Sequence, residues 1–382
     1  MLTRRALLGA GAGTLAAAAA GAAARAAQTG LLPPLDEPQA LWRHWRTLPG
    51  PSAVVAAGVL AANPHNSQPW RFRLDGSAIE LALDERRALG PVDPFLRQMW
   101  LGTGCALENM VVGAAGLGRP VEVVTVARGA LAARLVPGSA TGGRPELLDR
   151  ISRRHTNRGP YLRDVPVPRP LLDQLTALTS HAATRVELFG SDEPRGRDFA
   201  ASIVDATRAL IADTTFMRAS DAWFRQTPSE EAQHSDGTSL RCAGLPAWKR
   251  TLATLGPRTG ERASHEAWLD LTRRQHLGTA ANLGVISARD AGDRAQLLEA
   301  GRLWQRLQLA ATSHGLGFQP LDQLLELADR ERQLGVAPTA ELRLARLTEP
   351  GWLPVMTFRL GWPARAAPAS ARRALPSFLA PA

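Results

Sequence analysis

Residues 63–70 read NPHNSQPW. Pro64 and Pro69 fix φ and remove two backbone donors, so this stretch belongs to neither a helix interior nor a central strand. It must be a shaped loop, set directly after an Ala-rich helical pattern over residues 51–62. Two asparagines, a histidine, a serine and a glutamine then end on a tryptophan, a density of side-chain amides that surface turns seldom carry. Such a loop suits hydrogen bonding to the polar edge of a planar heterocycle; a Pro-kinked surface turn is the plain alternative. A hairpin follows, with strands over 71–74 and 78–83 turned by Asp75-Gly76.

The chain has 382 residues, 45% of them hydrophobic, enough for one large domain or two ordinary ones with a real core. A net charge of +10 invites a nucleic-acid reading. Against it, Lys249 is the sole lysine, the arginines are scattered, and one tyrosine leaves little stacking surface. A modestly cationic surface without nucleic-acid binding is the better account. Cys105 and Cys242 show no metal-like or CxxC spacing, so buried free thiols are expected, with a single disulfide as the alternative. No HExxH, P-loop, GxSxG or GxGxxG element stands in its required context.

At the N-terminus, Thr3-Arg4-Arg5-Ala6-Leu7-Leu8 opens an Ala/Gly/Leu run that extends to residue 24 and is followed by Arg25-Ala26. A charged start, an apolar stretch and a small-residue cleavage site make residues 1–26 a signal peptide of twin-arginine type. That route implies export by the twin-arginine machinery to the periplasm or beyond. It carries folded proteins, often with a cofactor already loaded. An ordinary secretory signal with a chance arginine pair is the alternative.

Downstream, an apolar helix over 99–117 ends at Gly118 and a strand follows over 121–126, then a short strand and linker to Pro145. A helix from Pro145 is expected to run into Arg153-Arg154-His155-Thr156-Asn157-Arg158, placing Arg154 and Arg158 on one face at i, i+4. Helices over 171–179 and 198–214, a loop-rich stretch over 226–260, a strand over 283–287 and an amphipathic helix over 294–314 follow, with a last strand over 355–360. The late helix closes on Gly315-Leu316-Gly317. A shift of 199 residues superposes Gly102 on Gly301 and Gly116-Leu117-Gly118 on Gly315-Leu316-Gly317, a weak internal echo.

NPHNSQPW before a hairpin, the helix GTGCALENMVVGAAGLG, RRHTNR, and a late helix ending in GLG with Arg372-Arg373 near the C-terminus together resemble the FMN-dependent nitroreductase superfamily. The order of elements, with the amide loop first and the basic segment second, resembles its fused, Acg-like branch. The resemblance implies an α+β fold of two related halves, residues 27–145 and 146–382, each an antiparallel-rich sheet flanked by helices. The halves would form an internal pseudo-dimer within a monomer, holding one FMN. It further implies that Arg154, His155, Thr156 and Arg158, with Arg372 and Arg373, hold the phosphate and ribityl chain. Asn63, Pro64, His65 and Asn66 would contact the ring or ribityl atoms, Gln68 would hold the loop's own backbone, and Trp70 would anchor the hairpin. Gln319, Pro320 and Leu321 would run beside the ring, their backbone N–H groups steadying charge there. Asn109 would lie away from the flavin, and residues 235–248 would be either a covering lid or an ordinary loop. The implied activity is hydride transfer through FMN from a nicotinamide donor, NAD(P)H, to a nitroaromatic, quinone or similar acceptor, with no side-chain nucleophile required. FMN storage with little turnover is the second reading, and an exported module without a cofactor the third.

Overall fold

The computed structural model describes residues 38–138 and 144–380, with a few positions between 21 and 29. The expected leader, residues 1–26, falls almost wholly outside the described residues.

The segments around the amide loop form as the sequence implies. Helix α1, Pro51–Val59, starts on a proline, whose missing N–H would be unpaired in a first turn anyway. Strands β1, Trp70–Asp75, and β2, Ala78–Leu83, pair as a tight hairpin from Trp70↔Leu83 to Asp75↔Ala78, with Gly76 supplying the positive φ of the turn. Helix α2, Arg97–Gly116, leads to β3, Val121–Arg128, and β4, Leu131–Pro137. These strands make an antiparallel sheet of order β1-β2-β4-β3.

A second antiparallel sheet lies wholly in the later sequence. It comprises β5, Thr184–Gly190; β8, Asn282–Ala288; β9, Gly317–Pro320; and β10, Leu353–Gly361, in the order β5-β8-β10-β9. Helix α3, Pro194–Ala212, and a short parallel pair, β6 (Phe224–Arg225) and β7 (Thr238–Ser239), are inserted between β5 and β8. Helix α4, Arg294–Ser313, precedes β9, and α5, Gln323–Leu334, follows it. The class is therefore α+β with antiparallel sheets, as expected. Trp70, Phe72, Leu81 and Met110 share one continuous core with Trp304, Phe318 and Phe358, so the two sheets are not independently packed. The C-terminal arm returns to the first sheet, where Leu379 bridges Phe72 and the Ala380 N–H donates to Phe72 O.

Helices α2 and α4 pack closely because each has glycine at the crossing. A Cβ on Gly104 would stand 2.0 Å from Leu298 O, and one on Gly301 would stand 2.0 Å from Leu101 O. The reciprocity has a fixed offset: 301 minus 104 and 298 minus 101 both give 197. Both helices are 20 residues long and begin and end at that same offset. So do their left-handed caps, Gly118 at φ 69° and Gly315 at φ 80°. Matching GLG on GLG at 199 was thus out of register by two residues. The left-handed position that demands glycine is the last residue of the first GLG but the first residue of the second.

One helix differs from expectation. After a 3-10 turn at Pro145–Leu147, the helix Leu148–Ile151 stops, and residues 154–158 are irregular. Arg154 and Arg158 therefore do not share a helical face. The segment is drawn into edge pairing instead: Asn157 N–H donates to Phe318 O, Tyr161 bridges Pro363, and Leu162 N–H donates to Trp362 O. Sheet-edge hydrogen bonds and helical φ/ψ are incompatible at the same residues. The stretch read as loop-rich also holds helices, Pro228–His234 and Ala247–Leu255. The first is announced by the Thr227/Glu230 capping box.

Candidate functional site

The amide loop is strained and heavily braced. His65, Asn66 and Gln68 all have positive φ, 48°, 53° and 53°, a region that costs side-chain-bearing residues roughly 1–3 kcal/mol each. Asn63 closes the turn, accepting at Oδ1 from the Gln68 N–H (2.7 Å) while its Nδ2 donates to Ala61 O (3.1 Å). Pro64 and Asn63 rest on Gly102 of α2, where a Cβ would stand 2.9 Å from the proline ring. Gln68 is fully buried: Nε2 donates to Ser235 O (2.9 Å) and to Asn66 O, and Oε1 accepts from the Arg373 N–H (3.0 Å). Gln68 thus holds the loop's own backbone, as expected, and ties it to two distant segments. Trp70 is fully buried at the start of β1.

The amides of Asn63 and Asn66 face protein. Asn66 accepts at Oδ1 from Arg372 Nη1 (2.6 Å) and donates from Nδ2 to Ala371 O (3.1 Å). The direct contacts with a heterocycle expected of these two asparagines therefore give way, in part, to bracing of the loop. His65 Nε2 lies 3.1 Å from the Ser220 hydroxyl.

The basic segment and the C-terminal arginines meet this loop. Arg154, 3% exposed, donates to Gln308 Oε1 (3.1 Å) and Leu60 O (3.2 Å), and its Nε has no partner among the described residues. Arg372 caps the C-terminus of α1, donating to Val59 O (2.7 Å), Leu60 O and Ala61 O besides Asn66 and Ser370. Its guanidinium is consumed by the fold, which corrects the expectation that Arg372 closes over a phosphate. Arg373 donates from Nη2 to Gln68 O (3.1 Å). His155 packs edge-on against Trp42 at 4.5 Å and opens on a cleft of about 530 Å³ lined also by Trp45, Arg46 and Ser152. Thr156 is half-buried. Arg158 makes no side-chain hydrogen bond among the described residues, yet lies close enough to His65 to lower its pKa.

Charge is unbalanced here. Among the described residues no carboxylate pairs with Arg154, Arg158, Arg359 or Arg372. Burial pulls all four below the ordinary guanidinium value, Arg154 and Arg359 to about 10 and Arg372 to about 9. Burial, with Arg158 adding to it, pushes His65 down to about 4. Burial with Arg154 and Arg372 pushes His155 down to about 3, so both rings are neutral at pH 7. Uncompensated buried cations are costly unless a ligand supplies the anion.

Residues 151–362, the second sheet with its basic segment, match the Nitroreductase family. The chain belongs to that family. The matched residues exclude the amide loop, but similarity to whole relatives includes more of the chain. Putative NAD(P)H nitroreductases Rv3131 and acg of Mycobacterium tuberculosis (strain ATCC 25618 / H37Rv) are 26% and 24% identical to it. The alignments span 85% and 72% of this chain and 88% and 80% of theirs. Solved nitroreductases overlap it loosely. NfnB from Mycobacterium smegmatis, in complex with NADPH, is 18% identical with a TM-score of 0.33 over 60% of this chain and 94% of its own.

Within the nitroreductase-matched sheet, Arg359 was not anticipated. It sits fully buried on β10, its Nε donating to Gln319 Oε1 (2.8 Å) and its Nη groups to Gly159 O (2.6 Å), His276 O and Thr279, with its plane 3.9 Å from the Tyr161 ring. The signal was present: an arginine in the mostly apolar strand run VMTFRLG. Arg359 fixes Gln319 and the turn after Arg158 together. The segment 319–321 offers less backbone than expected, because Pro320 has no N–H and Leu321 N–H is taken by Thr357 O (2.8 Å). Asn109 is structural, donating to Ala57 O and accepting from Gln305 Nε2 (2.7 Å).

Residues 235–248 cover both the loop and the basic segment. Gly237 N–H donates to Asn66 O, Asp236 pairs with Arg87 and with Arg225 (2.7 Å), and Gly244 presses on the Arg158 backbone, where a Cβ would stand 2.3 Å away. Cys242 lies in this strap, and both cysteines are free and buried, so the disulfide alternative is set aside.

Proposed function

We propose that this chain is an FMN-binding oxidoreductase of nitroreductase type, with one flavin site per chain. The observation that carries it is a group of four guanidiniums, three buried and that of Arg158 half-buried, with no carboxylate partner among the described residues, gathered where the amide loop meets residues 154–158. A phosphate monoester attached to a flat, polar-edged ring fits that donor set: Arg158 and the Nε of Arg154 are unspent, and the braced loop presents a rigid polar wall. Bound FMN would supply the hydride chemistry, from NAD(P)H to a nitroaromatic, quinone or similar acceptor. Arg154, Thr156 and Arg158 would hold the phosphate and ribityl chain, Arg373 and Gln68 would fix the loop, and Arg359 would position Gln319. The names of the mycobacterial relatives support the nicotinamide donor.

The constant offset of 197 between α2 and α4 supports an internal pseudo-dimer, residues 27–145 against 146–382, in a chain that needs no second copy. Arg4-Arg5 and the apolar run after them support export by the twin-arginine route; replacing both arginines by lysine should retain the protein in the cytoplasm.

A second reading, flavin storage, is favoured by the strap over residues 235–248, which a donor would have to displace. Anaerobic mixing with NADPH separates the two. Bleaching of the flavin band within seconds supports the reductase, and a band unchanged after an hour supports storage. A purified protein that is colourless and takes up no FMN rules out both.

A further inference from the structure

Four carboxylates and one guanidinium are buried together where α2 meets α5. Asp93, Arg97, Asp322, Glu326 and Asp329 are each less than a tenth exposed. Three of the acids have strong partners. Asp93 caps α2, accepting from the Gln98 N–H (3.0 Å) and the Met99 N–H (2.9 Å). Asp329 accepts from Arg97 Nε (2.8 Å), and more weakly from Arg332 at the rim (3.5 Å). Asp322 accepts from the Thr357 N–H (2.8 Å) and hydroxyl, with Arg97 Nη1 at 3.6 Å. Glu326 is left with a neutral amide, Gln98 Nε2, at 3.1 Å. One buried arginine cannot balance four ionised carboxylates in so dry a place.

We propose that Glu326 carries a proton in the native protein at neutral pH, and that this proton is a pH-sensitive latch holding α2 to α5, released in mildly alkaline solution. The inference goes beyond the flavin reading and does not depend on it. Burial raises Glu326 to about 8, with Asp322 and Asp93 adding to the shift and Arg97 and Gln98 opposing it. Asp93, raised by burial to about 6, is mostly ionised at pH 7. The sign follows from linkage. An acid whose folded pKa exceeds its unfolded one stabilises fully below the unfolded value and loses that contribution as pH rises through the folded value. For one carboxyl titrating near 8, the folding equilibrium constant should fall about tenfold between pH 7 and pH 9. Because α5 begins two residues after Leu321, release would also loosen residues 319–321.

The test compares the full-length protein with Glu326→Gln, which mimics the protonated acid. Urea unfolding at pH 7 and pH 9 should show the wild type losing about ten times more in folding constant than the variant. Burial keeps Cys105 and Cys242 protonated in the fold, while their unfolded thiols begin to ionise near pH 8.5, and that contribution is common to both proteins and cancels in the comparison. Amides of residues 323–334 should exchange faster in the wild type than in the variant at pH 9, and equally at pH 7. Equal pH dependence in both proteins, or no difference in exchange at pH 9, overturns the proposal. Should the variant not fold, the infrared carbonyl band of a protonated carboxyl decides. Present in the wild type at pH 7 and lost by pH 9 it supports the latch, and absent at pH 7 it overturns it.

Discussion

Arg158 and Arg372 stand at the same place with opposite relations to the fold, and replacing each by glutamine should separate binding from stability. Arg158 donates to no protein acceptor among the described residues and is uncompensated by any carboxylate. Removing it should leave the apo-protein as stable as before, or about 1 kcal/mol more stable, because a desolvated charge is relieved. If Arg158 grips FMN, the loss of a charge-assisted hydrogen bond should weaken binding by roughly 1.5–3 kcal/mol, or about 10- to 150-fold in Kd. Arg372 donates to three carbonyls at the end of α1 and to Asn66. Leu60 O and Ala61 O keep other donors, Arg154 and Asn63, but Val59 O loses its side-chain donor. Arg372→Gln should therefore destabilise the apo-protein by roughly 2–4 kcal/mol. Urea unfolding of apo-protein and titration of FMN fluorescence give the two axes. The reasoning fails if Arg158→Gln binds FMN normally, or if Arg372→Gln is as stable as the wild type.

Gly301→Ala should cost about 3 kcal/mol or more, since its methyl would meet a backbone carbonyl at the helix crossing, whereas Gly76→Ala, in open space at positive φ, should cost about 1 kcal/mol; thermal melting compares them. Asp236→Asn removes the pairing of the strap to Arg87 and Arg225, so bound FMN should exchange with free flavin several-fold faster and trypsin should cut near Arg241 sooner; an unchanged exchange rate would show that the strap does not guard the site. His155 and His65 are neutral in the fold down to about pH 3 and 4, while unfolded histidine takes a proton near 6.5. The unfolded chain thus binds more protons in that interval, and stability should fall as pH drops from 6.5 toward 4; His155→Gln should flatten the fall measured by urea unfolding.

The amide loop, the hairpin, α2 and α4 were legible because their signals are local. Proline geometry, an Asp-Gly turn, apolar periodicity and capping glycines each act over a few neighbouring residues. The basic segment was legible as composition but not as conformation. Nothing within residues 145–162 reveals that Phe318 O, 161 residues beyond Asn157, and the Trp362–Pro363 edge, some two hundred residues beyond Tyr161 and Leu162, would claim this backbone from the helix. Arg372 shows the same limit: its sequence context suggested a phosphate ligand, and only the return of the C-terminal arm onto α1 made it a helix cap.

The sequence by itself therefore determined the parts: a rigid amide loop, an arginine-rich chain able to hold an anion, a hairpin with further strands and two long glycine-capped helices. Tertiary structure alone decided which parts face each other. It set the 197-residue register through the Gly104–Gly301 approach, turned the loop's asparagines onto protein and laid residues 235–248 against the amide loop and the basic segment. It also left Arg158 without a side-chain hydrogen bond among the described residues. The reason is physical: local propensity is fixed by neighbours in the chain, whereas desolvation and the satisfaction of buried charges depend on which distant groups arrive together.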